Sequence, residues 1–88
     1  MEKILLHETL GKFIVTRNAV IKLFDSLASL NEGIVLDFTN IEFISRSSAH
    51  EYIRQKITMN KKIDEVNMSK NVKAMFALVA RQIKKVAA

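Results

Sequence analysis

The stretch IVLDFTNIEFISRSSAHEYIRQK, residues 34–56, contains the two patterns that decide the fold. Its first five residues, IVLDF, are almost all apolar, which is typical of a strand buried on both faces. From Ser48 onward, apolar residues recur on one face at helical spacing, which predicts a helix over residues 48–62. A buried strand followed closely by an amphipathic helix indicates an α/β domain.

The segments on either side of this stretch show the same two patterns, that of a strand and that of an amphipathic helix. KILLHE (3–8) and KFIVT (12–16) are predicted strands joined by a turn at ETLG, so that the second strand pairs antiparallel with the first. A helix capped by Asn18 is predicted over 18–30, a weaker strand over 63–68 and a last helix beginning after the cap Ser69. The predicted order is β-β-α-β-α-β-α, with three helices and one mixed four-stranded sheet.

Alternation along the predicted strands places apolar side chains on two opposite sheet faces. One face carries Leu5, Ile14 and Val35, and the other carries Leu6, Val15 and Leu36. Three helices in so small a domain leave one face incompletely covered. An uncovered apolar face would be a partner surface, for example for a second copy of the chain. The alternative is that the last helix or the first hairpin folds over it.

Length and composition indicate one small domain that spans residues 1–88. Hydrophobic residues make up 49% of the chain, which is enough for a core, and cysteine is absent, so no disulfide or thiolate site can form. No apolar run approaches the roughly 18 residues of a membrane span. The N-terminus lacks the layout of a signal peptide. We therefore expect a cytoplasmic protein without a membrane partner.

The net charge of +5 raises the alternative of a small basic nucleic-acid-binding or antitoxin-like protein. Lys84 and Lys85, near the end of the chain, would be its contact residues. The positive residues are, however, spread along the whole sequence. Aromatic residues are few and tryptophan is absent, so no basic block interleaved with aromatics is available for base stacking.

Residues 34–56 also resemble a known family. A hydrophobic strand ending in Asp37, a second apolar pair and a serine-rich helix start are similar to the STAS domain of anti-anti-sigma factors and sulfate-transporter tails. The similarity is closer to the small prokaryotic STAS-like proteins of unknown function. FIVTRNAVIKLFDSL (13–27) and VNMSKNVKAMFALV (66–79) resemble the corresponding segments in the right order. The resemblance implies a non-catalytic regulatory module that docks on a protein, by analogy a kinase-like ATPase.

The chain departs from that family at the residue that carries its switch. In anti-anti-sigma factors the partner kinase phosphorylates the first serine of an Asp-Ser-Ser-Gly-like sequence. Aligned without gaps, Ser45 takes the aspartate position, Arg46 the phosphorylated serine, Ser47 the second serine and Ser48 the glycine. Ser45 and Ser47 could substitute as phosphorylation sites. All four residues are predicted to form the partner surface.

The same serines also fit a helix cap. In the capping box SAHE, Ser48 would accept from the Glu51 backbone N–H, and the Glu51 side chain would accept from the Ser48 backbone N–H. Ser47 would be the cap if the helix began one residue earlier. A phosphate on Ser47, or a bound anion or nucleotide, would meet the free N–H groups of the helix start and Arg46. These alternatives stay open at this point.

No catalytic or metal-binding pattern is recognisable, so we expect neither enzymatic activity nor a cofactor. His7 and His50 are the only histidines, and nothing in their spacing brings them together at a metal. Ser47, His50 and Asp37 contain the residue types of a hydrolytic triad, but no nucleophile elbow or oxyanion glycine accompanies them. By the STAS resemblance, Asp37 instead supports the loop that follows its strand.

Overall fold

A computed structural model of the chain describes residues 2–30, 33–59 and 61–87, with side chains up to residue 83. The elements in chain order are β1 (Glu2–Leu5), α1 (Leu6–Leu10), β2 (Phe13–Ile14), α2 (Arg17–Ala28), β3 (Ile34–Asp37), β4 (Phe43–Ile44), α3 (Arg46–Thr58), β5 (Ile63–Val66) and α4 (Lys70–Ala87). The predicted α/β class is confirmed. Among the described helices, none is long and apolar enough to cross a membrane.

The strands form two separate sheets, in which every pair is parallel. The larger sheet has the order β1-β3-β5, and the smaller one pairs β2 with β4. Val35 of the central strand lies between Lys3 and Asp64, and Phe13 lies beside Phe43. The predicted mixed four-stranded sheet with three helices and an antiparallel first pair is therefore wrong.

The predicted hairpin is wrong because residues 6–10 form the short helix α1 instead of a turn. Leu6 is completely buried there, and the Gly11 backbone N–H donates to the His7 carbonyl at 3.0 Å. Gly11 ends the helix with φ of +76°, a backbone conformation that glycine adopts without strain. The chain therefore turns away from β1, and β2 pairs with β4.

The two faces of the three-stranded sheet differ in what covers them. One face carries Ile34, Leu36 and Ile63, which belong to the buried core. The other, here called the open face, carries Lys3, Leu5, Val35, Asp37, Asp64 and Val66. Its three apolar side chains are half-buried, and none of them belongs to the described core or packs against it. The strands β1, β3 and β5 follow one another in one direction across the sheet. Right-handed connections between such strands all lie on the same face of the sheet.

The predicted faces are correct only in part. Leu5 and Val35 share a face, and Leu36 lies on the opposite one. Leu6, however, belongs to α1, and Ile14 lies in the core under the smaller sheet. The strand β4 was missed because two residues are too few to show alternation.

The helices begin close to the predicted positions, but two of their caps differ. Thr16, not Asn18, caps α2, since its Oγ1 accepts from the Ala19 backbone N–H at 3.3 Å. Ser69 caps α4 as predicted, accepting from the Val72 backbone N–H at 3.2 Å. Helix α3 begins at Arg46 and ends at Thr58, which is earlier at both ends than predicted.

The centre of the core is a cluster of four aromatic rings. Tyr52 of α3 lies in the middle, with ring centroids 5.3 Å from Phe24, 6.1 Å from Phe38 and 4.9 Å from Phe76. The cluster joins α2, α3 and α4 to the segment after β3. It fixes the orientation of α3, and with it the position of the serine-rich helix start.

Candidate functional site

Ser45 is the residue that starts α3. It has an extended backbone, and its Oγ accepts from the Ser48 backbone N–H at 3.2 Å. Its own backbone N–H donates to the Ile14 carbonyl at 2.8 Å, which extends the β2–β4 ladder up to the helix. The prediction that Ser48 is the cap is therefore wrong, because strand pairing places the helix start three residues earlier.

The Ser45 hydroxyl also joins the helix start to the end of β2. Its Oγ lies 2.7 Å from the Val15 carbonyl oxygen, 2.8 Å from Ser48 Oγ and 3.3 Å from Ser47 Oγ. A hydroxyl has one proton, and the carbonyl can only accept. Because Ser45 gives its one proton to Val15, its oxygen is the acceptor in its close contacts with Ser48.

Glu51 does not return to the helix start, so the predicted capping box is wrong. Its side chain is 2% exposed and accepts from Arg54 Nη2 at 2.9 Å and Gln55 Nε2 at 2.8 Å. Arg17 of α2 lies 3.8 Å away. Burial alone would raise the pKa of Glu51, but the hydrogen bonds from Gln55 and Arg54 outweigh it and hold the pKa below its ordinary value. Glu51 therefore links α3 to α2.

The four predicted site residues lie within one turn, but they differ in accessibility. Arg46 and Ser47 are exposed, Ser45 is half-buried and Ser48 is completely buried. A kinase must reach the hydroxyl that it modifies, so Ser47 is the candidate for phosphorylation that the geometry favours. Ser45 is occupied by the Val15 carbonyl, and Ser48 lies beneath the surface.

An exposed apolar surface lies beside this helix start. It consists of Phe13, Val15 and Phe43, here called the apolar patch, with exposed fractions of 59%, 55% and 44%. Phe13 and Phe43 are direct neighbours across the β2–β4 pair, while Ile14 and Ile44 point the other way into the core. The alternation of KFIVT was the only sequence signal for the patch, and it did not show which face is outside.

Asp37 supports the loop after β3 through hydrogen bonds to one of its carboxylate oxygens. Its Oδ1 accepts from the Thr39 backbone N–H at 2.9 Å, the Thr39 hydroxyl at 2.6 Å and Asn67 Nδ2 at 3.1 Å. Lys3 Nζ lies 3.5 Å from the other oxygen. The hydrogen bonds from Thr39, with that from Asn67, hold the pKa of Asp37 well below its ordinary value. This matches the supporting role that the resemblance implies.

The residues of the hypothetical triad do not form one. The close contact of Ser47 Oγ is Ser45 Oγ, and Asp37 is occupied by Thr39 and Asn67. Within residues 2–30, 33–59 and 61–87, no group of three His, Cys, Asp or Glu side chains is arranged to hold a metal ion. His7 and His50 lie on different helices, α1 and α3.

The basic residues that suggested nucleic-acid binding lie on several elements of the described chain. Exposed cations occur on β1, α2 and α4, for example Lys3, Lys22 and Lys73. The side chains of Lys84 and Lys85 lie outside the described residues.

Comparisons with protein-family models, with curated proteins and with solved structures found no match to this chain. The similarity to STAS-like proteins stays a prediction from the motifs in residues 13–27, 34–56 and 66–79. The functional argument accordingly rests on the start of α3 and on the apolar patch.

Replacing Ser45 with alanine is expected to lower the free energy of unfolding by about 1–3 kcal/mol. The change removes the helix cap and leaves the Val15 carbonyl without its donor. Ser47→Ala, a matched change two residues later, is expected to stay within about 0.5 kcal/mol because that hydroxyl is exposed. Urea unfolding followed by circular dichroism measures both. Equal losses would contradict the assignment of Ser45 as the cap.

Proposed function

We propose that this chain is a non-catalytic regulatory module that binds a protein partner, as its resemblance to STAS-like proteins implies. The binding surface is the apolar patch together with the exposed start of α3. One observation carries the proposal: the two features are physically joined. The Val15 carbonyl accepts from Ser45, whose oxygen lies 3.3 Å from that of exposed Ser47.

The apolar patch supports a protein partner more than a nucleic acid. Two neighbouring phenylalanines that are each about half exposed are unusual on a small domain, and aromatic side chains are enriched in the centres of protein interfaces. Lys12, Glu42 and Arg46, all exposed, flank the patch in sequence, and two of these three charges are positive. The partner that fits has an apolar centre with acidic residues at its edge, since rim charges of opposite sign favour the encounter.

Ser47 supplies a means of control in this proposal. A phosphate there would add a charge of about −2 beside Arg46 and the free N–H groups of the first helical turn. It would neutralise the cation that faces the acidic edge of the partner. Phosphorylation is therefore expected to release the partner.

The proposal is tested by capture of binding proteins from the native cell lysate on the tagged chain. The variants are Phe43→Ser, which removes an aromatic ring from the patch, and Ser47→Asp, which imitates the phosphate. Ile57→Ser is the matched control, because Ile57 is 70% exposed on α3 but does not belong to the patch. Each capture is made at about 0.1 M and about 1 M salt, where charges are screened over about 10 Å and about 3 Å.

We expect one protein to be retained by the wild type and by Ile57→Ser at both salt concentrations. Phe43→Ser should lose it, and Ser47→Asp should weaken it. Intact mass of the recovered wild type then shows whether a phosphate-sized increment is present. Capture that Phe43→Ser leaves unchanged would overturn the proposal. Nucleic acid that elutes at high salt from all variants would instead favour the basic nucleic-acid-binding alternative.

A further inference from the structure

We propose that a groove between α3 and α4 binds an amphiphilic monocarboxylate, that is, a small molecule with one carboxylate and an apolar body. The groove has a volume of about 580 Å³ and is lined by side chains of both helices together with Glu65 and Met68. Volumes of about 300–1,000 Å³ are typical of sites for small molecules. The groove shares no residue with the apolar patch, so the proposal goes beyond the proposed function and fails or holds independently of it.

The walls of the groove are mostly apolar. Helix α3 contributes Ile53 and Ile57, and helix α4 contributes Phe76, Ala77 and Ala80. Ile57 is 70% exposed, which leaves most of a large apolar side chain in water. The two alanines carry only a methyl group each, so they leave space between the helices that a larger side chain would fill. An apolar ligand in this space would remove apolar surface on both walls from water, which favours binding.

A polar cluster lies in the recessed part of the same groove. Tyr52, which is 3% exposed, donates its hydroxyl proton to one carboxylate oxygen of Glu65, and Lys56 Nζ lies 3.0 Å from the other oxygen. Both oxygens of Glu65 are therefore engaged. The ammonium group of Lys56 has three N–H donors, and its contact with Glu65 uses one of them. The groove thus offers a donor to an incoming acceptor beside an apolar wall.

The charges of the groove favour an anionic head group. Its charged residues are Lys56, Glu65 and Lys73, so two cations and one anion leave one unit of positive charge. Lys73 is exposed and forms no ion pair with any side chain that the structure describes. One carboxylate neutralises this charge. A cationic ligand would instead compete with Lys56 for Glu65 and would be repelled by Lys73.

Isothermal titration calorimetry with hexanoate, octanoate and decanoate tests whether the apolar body and the carboxylate both contribute. Each added CH₂ group is expected to lower the dissociation constant about two- to fourfold, since a fully buried CH₂ gives about fourfold and the groove is open on one side. Decyltrimethylammonium has the chain of decanoate with a positive head group. It should bind at least about tenfold more weakly than decanoate, because its head group faces Lys73 without pairing.

Variants of α4 then locate the site. Ala77→Phe fills the groove without changing its charge and should weaken decanoate binding at least about tenfold, because the added ring occupies the space of the ligand. Ala74→Phe is the matched control, since Ala74 is exposed on the same helix but does not line the groove. Lys73→Gln should weaken binding about two- to fivefold, as expected for an exposed ion pair. Lys70→Gln, three residues earlier, should leave it unchanged. Circular dichroism establishes that each variant is folded.

The apolar patch is the other surface to which an amphiphile could adsorb, and two variants separate it from the groove. Phe43→Ser should bind decanoate as the wild type does, whereas Ile57→Ser should bind it more weakly. The opposite result would place the ligand on the patch and overturn the proposal. Equal binding by Ala77→Phe and the wild type would also overturn it. So would a wild type that binds no decanoate at about 1 mM, or that binds decyltrimethylammonium equally well.

Discussion

Leu36→Ala is expected to lower the free energy of unfolding by about 2–5 kcal/mol, while Val35→Ala, one residue earlier, is expected to cost less than about 1 kcal/mol. The two residues are neighbours on the central strand and differ in the face that they occupy. Leu36 is completely buried in the core. Val35 lies on the open face between the side chains of Lys3 and Asp64.

Urea unfolding followed by circular dichroism measures this difference. The slope of the unfolding free energy against urea should be the same for both variants, because neither changes the surface exposed on unfolding very much. Comparable losses for the two variants would mean that the open face is covered within the monomer.

Much of the sheet could be predicted from alternation, but not the direction in which its faces point. The pattern of IVLDF places Val35 and Leu36 on opposite faces, which is correct. Which of them enters the core depends on the side to which the crossovers turn. That is decided by packing between segments far apart in the chain, which a local period does not report.

The pairing of the strands was predicted wrongly for a related reason. Helix α1 has five residues, too few for a helical period to stand out, and Gly11 after it is as typical of a turn as of a helix end. Leu6 and Leu10, four residues apart, were the only helical signal. Once α1 was taken for a turn, an antiparallel hairpin followed from the rule that neighbouring strands pair.

The location of the candidate site was predictable, and its internal roles were not. Three serines among four residues all suit a helix start. Ser45 is the cap because its backbone N–H pairs with Ile14, thirty-one positions earlier, and its hydroxyl with Val15. Contacts between residues this far apart in the sequence decide which serine is structural. They leave Ser47 as the serine whose side chain is exposed and can be reached by a partner.

The largest loss of stability is expected at Tyr52. Tyr52→Ala should lower the free energy of unfolding by about 3–5 kcal/mol, because it opens a cavity among Phe24, Phe38 and Phe76. For a domain of this size each kcal/mol corresponds to about 4–8 °C in Tm, so the variant should melt about 12–40 °C lower. Thermal unfolding followed by circular dichroism measures the change.

Tyr52→Phe separates the contribution of the hydroxyl from that of the ring. The Tyr52 hydroxyl donates to Glu65, whose other oxygen pairs with Lys56 at 3.0 Å. Burial, together with the charge of Glu65, raises the pKa of Tyr52 far above its ordinary value, so the phenol stays protonated and remains a donor. Its removal should cost about 1–2 kcal/mol, because Glu65 is 21% exposed and water replaces part of the lost hydrogen bond. If Tyr52→Phe were as costly as Tyr52→Ala, the anchor of α3 would be the hydrogen bond to β5 rather than the aromatic cluster.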